Sequence, residues 1–258
     1  LSLLVFDSGI GGLGVVAEIR RIAPGLGMDY LADDGFYPYG QRPDEALTAR
    51  ILEVVGAAIG LLRPEAVVVA CNTASTIALG ALRAAFDVPF VGCVPPVKPA
   101  AAASVSRHIG LLATPATIRR PYLQELVARF AGDCEVHSLG TPVLADLAEA
   151  KFRGVAVDMA ALAAAVAPVL ADGRVDAVAL GCTHYTFLLP EFAALRRDLR
   201  WFDPAGAVAR QAIRVAGAVA AGGGGFFVTG AVRDDAMMAR RIEGYGFSAI
   251  ERLGAPAA

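Results

Sequence analysis

Short apolar runs alternate along this chain with longer stretches in which apolar positions return every three or four residues. The runs at 3–6, 28–31, 66–70, 90–92, 109–113, 135–139, 177–180 and 226–229 predict strands. Helical spacing is clearest at 13–21, 44–62, 118–130, 157–171 and 205–220, with further helices filling the remaining gaps. Strands that alternate with helices predict an α/β fold, with mostly parallel sheets and helical crossovers.

Two of the apolar runs end alike. Val67-Val68-Val69-Ala70 leads into Cys71-Asn72-Thr73-Ala74-Ser75, and Ala177-Val178-Ala179-Leu180-Gly181 leads into Cys182-Thr183-His184-Tyr185. In each, a cysteine closes a strand and polar residues open a predicted helix. The echo predicts two similar α/β domains with an active cleft between them. The first would comprise residues 1–92 with 210–258 and the second residues 93–209. The crossings are placed near Gly92-Cys93, ahead of the proline-rich 95–99 segment, and after Phe202-Asp203-Pro204.

Composition narrows the chemistry. A chain of 258 residues has core enough for either one large or two modest domains without disulfides or metals. The longest uncharged stretch, 215–232, is interrupted by glycines 222–225 and does not predict a membrane span. No basic, apolar leader precedes the first strand, so the cytosol is the expected compartment. A net charge of −2 without a basic stripe argues against nucleic acid. The four cysteines at 71, 93, 134 and 182 form no Cys-x-x-Cys pair, which fits a reducing compartment better than a zinc cluster. Lys98 and Lys151 are the only lysines, and neither sits where a pyridoxal Schiff base would be expected. The expectation is therefore no cofactor and no metal.

A residue at the carboxyl end of a parallel strand faces the ligand crevice, and the following helix points its N–H groups there. A thiol in that place should ionise more readily than a free one. Two such thiols on different strands suit proton abstraction at one face of a carbon and proton return at the other. The alternative for any cysteine is a small buried hydrophobe; Cys93 and Cys134 fit that role. His184 stands two residues after Cys182, placed to poise that thiol or to shuttle its proton. His108 and His137 are expected to be ordinary strand-flanking residues, and Cys182-x-His184 has no second ligand pair to complete a zinc site. Asp7-Ser8 precedes a glycine-rich turn, which could serve only as a turn. Ser8, Asn72, Thr73, Thr183 and the backbone near Tyr39-Gly40 offer polar groups for a substrate's carboxylates and ammonium. Thr114 and Thr117 follow a second-lobe strand and could do the same, or cap a helix.

Asp7-Ser8-Gly9-Ile10-Gly11-Gly12, Pro38-Tyr39-Gly40, Ala70-Cys71-Asn72-Thr73-Ala74-Ser75 and Gly181-Cys182-Thr183-His184 together resemble the glutamate racemase family. The likeness extends through Leu111-Leu112-Ala113-Thr114 with Thr117, and through Leu147-Ala148-Glu149-Ala150-Lys151. It implies two α/β domains, no cofactor, and interconversion of L- and D-glutamate to supply peptidoglycan synthesis and thus the cell wall. By the same resemblance, Cys71 takes the proton from D-glutamate and Cys182 from L-glutamate. Asp7 would support Cys71, and Ser8 would hold substrate. His184 and Glu149 would belong to the catalytic set, although Glu149 lies on an amphipathic segment and could equally face solvent. Pro38, Tyr39, Gly40, Asn72, Thr73, Thr114, Thr117 and Thr183 would line the substrate, together with Asp7 and His184.

The chain departs from the family at Ala32-Asp33-Asp34-Gly35-Phe36-Tyr37, where members commonly carry Gly-Asp-Thr-Ala-Arg. Asp33 is kept and the arginine is missing. Val94-Pro95-Pro96-Val97-Lys98-Pro99-Ala100 resembles a branch in which some members are controlled by a cell-wall precursor, so such an activator is among the partners implied. Members form several kinds of dimer, and an oligomer is among the assemblies allowed. Some also inhibit DNA gyrase, a role for which this sequence carries no marker. An aspartate racemase using the same two thiols is the neighbouring alternative; His184 and the Asp7-Ser8 turn favour glutamate.

Overall fold

The computed structural model describes residues 2–217, 222, 224–231 and 236–254. Among these, ten strands run in chain order. They are β1 Leu3–Asp7, β2 Met28–Ala32, β3 Ala66–Val69, β4 Phe90–Gly92, β5 His108–Ala113, β6 Glu135–Gly140, β7 Ala177–Gly181, β8 Arg200–Phe202, β9 Phe226–Val228 and β10 Ile250–Arg252. One sheet has the order β10-β9-β2-β1-β3-β4 and the other β6-β5-β7-β8. Every pairing in both is parallel. The fold is α/β with two mostly parallel sheets, as the alternating pattern predicts.

The chain forms two compact units, Leu1–Cys93 with Ala205–Ala258, and Val94–Pro204. The return crossing lies five residues earlier than the expected 209/210. The helix Ala205–Ala216 accounts for the shift, because its whole length belongs to the first unit and its buried residues include Ala205, Val208, Ala209 and Ala212.

The two units share one winding. In the first, the chain goes from β1 to β2 on one side and then to β3 and β4 on the other; in the second, β5, β6, β7 and β8 repeat that order. Each sheet therefore has a switch point, between β1 and β3 and between β5 and β7, where ligands enter α/β sheets. In the second unit the period-two alternation is visible in the packing. Val178 and Leu180 of β7 join one buried cluster, and Ala177 and Ala179 join another. The sheet is thus covered on both faces.

Several predicted bounds shift for local reasons. The helix expected over 118–130 is two, Pro115–Ile118 and Pro121–Phe130. Pro121 has no N–H to continue the ladder and pushes Arg120 into an extended conformation (φ −76°, ψ 132°). The helix expected over 157–171 begins at Met159, where the Asp158 side chain accepts the N–H groups of Ala160 and Ala161. The helix at 205–220 is seen as Ala205–Ala216, and residues 218–220 lie outside the described residues, as does Gly223 of the glycine run. Beyond Cys182 the expected α-helix is instead a 3₁₀ segment, Thr183–Leu188, followed by Leu189–Leu195. Among the described residues, no helix is long and apolar enough to cross a membrane.

Candidate active-site groups

Cys71 stands between β3 and the helix Asn72–Ala85, as that helix's N-cap, with its carbonyl accepting the N–H of Ser75. Because β3 lies beside β1 in register (Phe6 opposite Val69), the turn after Asp7 is carried alongside the thiol. Gly12 permits this close approach: a Cβ there would meet the Cβ of Ala70 at 3.0 Å and that of Asp7 at 3.1 Å. The result is a buried polar chain. Ser8 Oγ lies 3.7 Å from Cys71 Sγ and 3.4 Å from Asp7 Oδ1, which also accepts the N–H of Gly9 at 3.0 Å. Ser8 has one hydroxyl proton for two neighbours. It can donate to Asp7 while accepting from the thiol, or turn that proton toward a thiolate.

Asn72, in the first turn beyond the thiol, is 2% exposed, and neither Oδ1 nor Nδ2 has a hydrogen-bond partner. An unpaired buried amide costs about 1–3 kcal/mol. Such a group at a strand's carboxyl end is one that a polar ligand would satisfy. Thr73 beside it is also buried.

Tyr39 is buried in the cluster that contains Cys71, within the 3₁₀ turn Tyr39–Gln41 that also carries the half-buried Gly40, with Pro38 just before it. Its hydroxyl donates to Asp33 Oδ2 at 2.7 Å. Burial first, and then the Asp33 carboxylate, hold the phenol well above its ordinary pKa, so it stays a donor. Asp33 is itself fully buried. It also takes Arg50 in a two-pronged contact (Nη2 to Oδ1 2.8 Å, Nε to Oδ2 3.1 Å) and the Thr229 hydroxyl at 2.5 Å. The loop without the family's arginine thus has a guanidinium delivered from the helix Asp44–Leu62. Neither Arg50 nor Thr229 was foreseen. They lie 17 and 196 residues from Asp33, and only the fold joins them.

In the second unit, Cys182 follows β7 as Cys71 follows β3. Gly181 leaves room for the neighbouring strand, since a Cβ there would lie 2.9 Å from that of Ala113 and 3.1 Å from the carbonyl of Leu112. Cys182 Sγ is 3.9 Å from His184 Nδ1, and His184 Nε2 is 3.0 Å from Glu149 Oε1. Glu149, which the sequence left between catalysis and solvent, has a side chain only 16% exposed and is turned toward His184. Burial works against charge on His184. Its contacts with Cys182 and Glu149 outweigh that and raise its pKa well above the ordinary histidine value. An imidazolium beside Cys182 holds a proton that it can hand to that sulfur.

At the end of β5, Thr114 caps the short helix Pro115–Ile118, its Oγ1 accepting the Thr117 N–H at 3.2 Å with the two hydroxyls 3.0 Å apart. Thr183, the first residue of the 3₁₀ segment, is buried. Capping and ligand contact are compatible here, because each hydroxyl has more bonding capacity than the cap uses. Cys93 is fully buried and Cys134 half-buried, the latter with its thiol pushed up by burial. His108 and His137 do not merely flank strands: His108 opens β5 and His137 lies within β6, and they meet each other and two carboxylates.

A family model described as Asp/Glu/hydantoin racemase matches residues 21–212. The glutamate racemase of Granulibacter bethesdensis is 54% identical over 215 residues, covering 83% of this chain and 78% of that protein. The crystal structure of Escherichia coli glutamate racemase with L-glutamate and the activator UDP-MurNAc-Ala superposes with a TM-score of 0.93 at 38% identity, covering 98% of each chain. Glutamate racemase isoform RacE1 of Bacillus anthracis gives 0.85 at 29% identity, covering 100% of this chain and 98% of that one.

Proposed function

The chain belongs to the Asp/Glu/hydantoin racemase family, and on that footing we propose that it is a cofactor-independent glutamate racemase acting through two thiols. The observation that carries the proposal is the matched placement of Cys71 and Cys182, each buried within two residues of the end of a strand at its sheet's switch point. Inversion at a carbon needs a base on one face and an acid on the other. Starting from D-glutamate, the Cys71 thiolate takes the α-proton and becomes a thiol, while Cys182 gives its proton to the opposite face and becomes the thiolate. L-glutamate reverses both transfers.

The supporting groups follow from their contacts. Ser8 and Asp7 adjust the hydrogen bonding of Cys71 as its charge changes, and His184 with Glu149 does so for Cys182. Asn72, Thr73, Thr114, Thr117 and Thr183 supply donors for the substrate's carboxylates. Glutamate rather than aspartate is favoured by identity of 54% to a glutamate racemase. The likeness to the activator-bound Escherichia coli enzyme extends the proposal to control by a uridine-diphosphate muramoyl precursor, and so to supply of D-glutamate for the cell wall.

Circular dichroism on the purified protein, with no cofactor added, tests this. Ellipticity should decay to zero from either L- or D-glutamate and stay constant with L-aspartate. Strict dependence on added pyridoxal phosphate would reject the mechanism, and decay with aspartate alone would reject the substrate.

Asn72 gives a second test. Asn72→Leu removes the unpaired amide while keeping the same number and branching of side-chain heavy atoms. A lost hydrogen bond to a charged substrate group, about 1.5–3 kcal/mol, should lower kcat/KM by about 10- to 100-fold. The melting temperature should not fall, because no hydrogen bond within the protein is broken. Unchanged kinetics with a lower melting temperature would make Asn72 structural instead.

A further inference from the structure

At the amino end of the second unit's sheet, four side chains with metal-binding atoms converge. His108 begins β5, Glu135 and His137 lie at positions one and three of β6, and Asp172 lies in the turn after the helix Met159–Leu170. The register places His108 opposite Glu135 and His137 opposite Gly110. Residues two apart on a strand share a face, so one face presents both histidines and Glu135. It is the face covered by that helix: a Cβ on Gly110 would meet Val169 of the helix at 2.6 Å. The turn that follows the helix brings Asp172 to the same place.

One ligand atom from each of the four lies within 4.8 Å of the others. His108 Nδ1 is 3.4 Å from His137 Nε2, 3.4 Å from Glu135 Oε2 and 3.9 Å from Asp172 Oδ2. His137 Nε2 is 3.7 Å from Glu135 Oε1 and 3.4 Å from Asp172 Oδ2. A tetrahedral zinc ion with bonds of about 2.0–2.2 Å needs ligand atoms about 3.3–3.5 Å apart, and these separations are within a few tenths of an ångström of that. We propose that His108, His137, Glu135 and Asp172 form a structural site for a zinc-class divalent cation.

The donor set narrows the metal. Two imidazole nitrogens and two carboxylates suit zinc, cobalt or nickel, whereas calcium and magnesium prefer oxygen alone. With neutral histidines, the two carboxylates carry two negative charges against the one positive charge of Arg174. Arg174 already engages Asp172, its Nη2 on Oδ2 at 2.7 Å and its Nε and backbone N–H on Oδ1 at 3.0 and 2.9 Å. A cation taking Oδ2 displaces only the first of these contacts. The guanidinium also holds the Asp172 carboxyl below the ordinary range, so the ligand is ionised without a metal.

The place argues for structure rather than chemistry. Strand β5 spans six residues from His108 to Ala113, so at about 3.3 Å per residue its ends are roughly 17 Å apart. Cys182 follows the carboxyl end of β7, at the other edge of the same sheet. The ion would tie three separate segments of the second unit together and act on its stability.

Tag-free protein stripped with a chelator and titrated with Co²⁺ and Zn²⁺ tests the proposal. Co²⁺ should give a ligand-field band of tetrahedral intensity without a thiolate charge-transfer band. Zn²⁺ should bind at one equivalent per chain and raise the melting temperature. His108→Gln and His137→Gln should each weaken Zn²⁺ binding at least about tenfold, and far-UV circular dichroism with retained glutamate racemisation will show that the variants are folded. Should either histidine variant fail to fold, Glu135→Gln, at the most exposed member of the cluster, and Asp172→Asn carry the same expectation. Absence of saturable uptake, uptake untouched by these substitutions, or a cobalt–thiolate band would overturn it.

Discussion

Cys71→Ala and Cys182→Ala should each lower racemisation by about a thousandfold, the loss expected when a positioned acid or base is removed from a reaction that needs both. Cys93→Ala and Cys134→Ala should change it little. The enantiomers have equal free energy in water, so the equilibrium constant is one and kcat/KM must fall equally in both directions for any variant. Steady-state racemisation therefore cannot tell which thiol serves which enantiomer. Exchange of the α-hydrogen with solvent deuterium can. With Cys71→Ser the remaining thiol should exchange L-glutamate, and with Cys182→Ser it should exchange D-glutamate, each without net inversion. If one variant exchanged both enantiomers equally, a single base would be reaching both faces and the opposed-thiol mechanism would fail.

Both thiols were legible before any coordinates because their signal is local. An apolar run that stops at a cysteine, followed by polar residues, states a strand end whatever the rest of the chain does. Asp7, Ser8 and Asn72 were legible for the same reason. The short strands β8 (Arg200–Phe202) and β10 (Ile250–Arg252) were not, since charged residues leave neither with an apolar run, unlike the equally short β4 and β9. The 3₁₀ segment after Cys182 was mistaken for α-helix because the two geometries share their early apolar spacing. The contacts of Asp33 with Arg50 and Thr229, and the meeting of His108, Glu135, His137 and Asp172, join residues from distant elements. Sheet order and register create those neighbours, and a single sequence states neither.

His184→Gln should lower kcat by about a hundredfold, since general acid–base assistance is worth about 10²–10⁴ and the thiol of Cys182 remains. Glutamine keeps a hydrogen bond to Glu149 but carries no charge beside the thiolate. Glu149→Gln is the finer probe, because Glu149 acts through His184 and is a positioning residue. Its carboxylate, 3.0 Å from Nε2, helps hold the imidazolium above the ordinary histidine range. Removing that charge lowers the His184 pKa, so the alkaline limb of the kcat profile should move to lower pH. Stability has the same sign. The raised pKa stabilises the fold fully below the unfolded histidine value of about 6.5, and that stabilisation is lost as pH rises through the folded value. Glu149→Gln should therefore narrow the stability difference between mildly acidic and alkaline conditions, which urea unfolding at several pH values will measure. A uniform loss of activity with the alkaline limb unmoved would show that Glu149 only packs against His184 and does not set its charge.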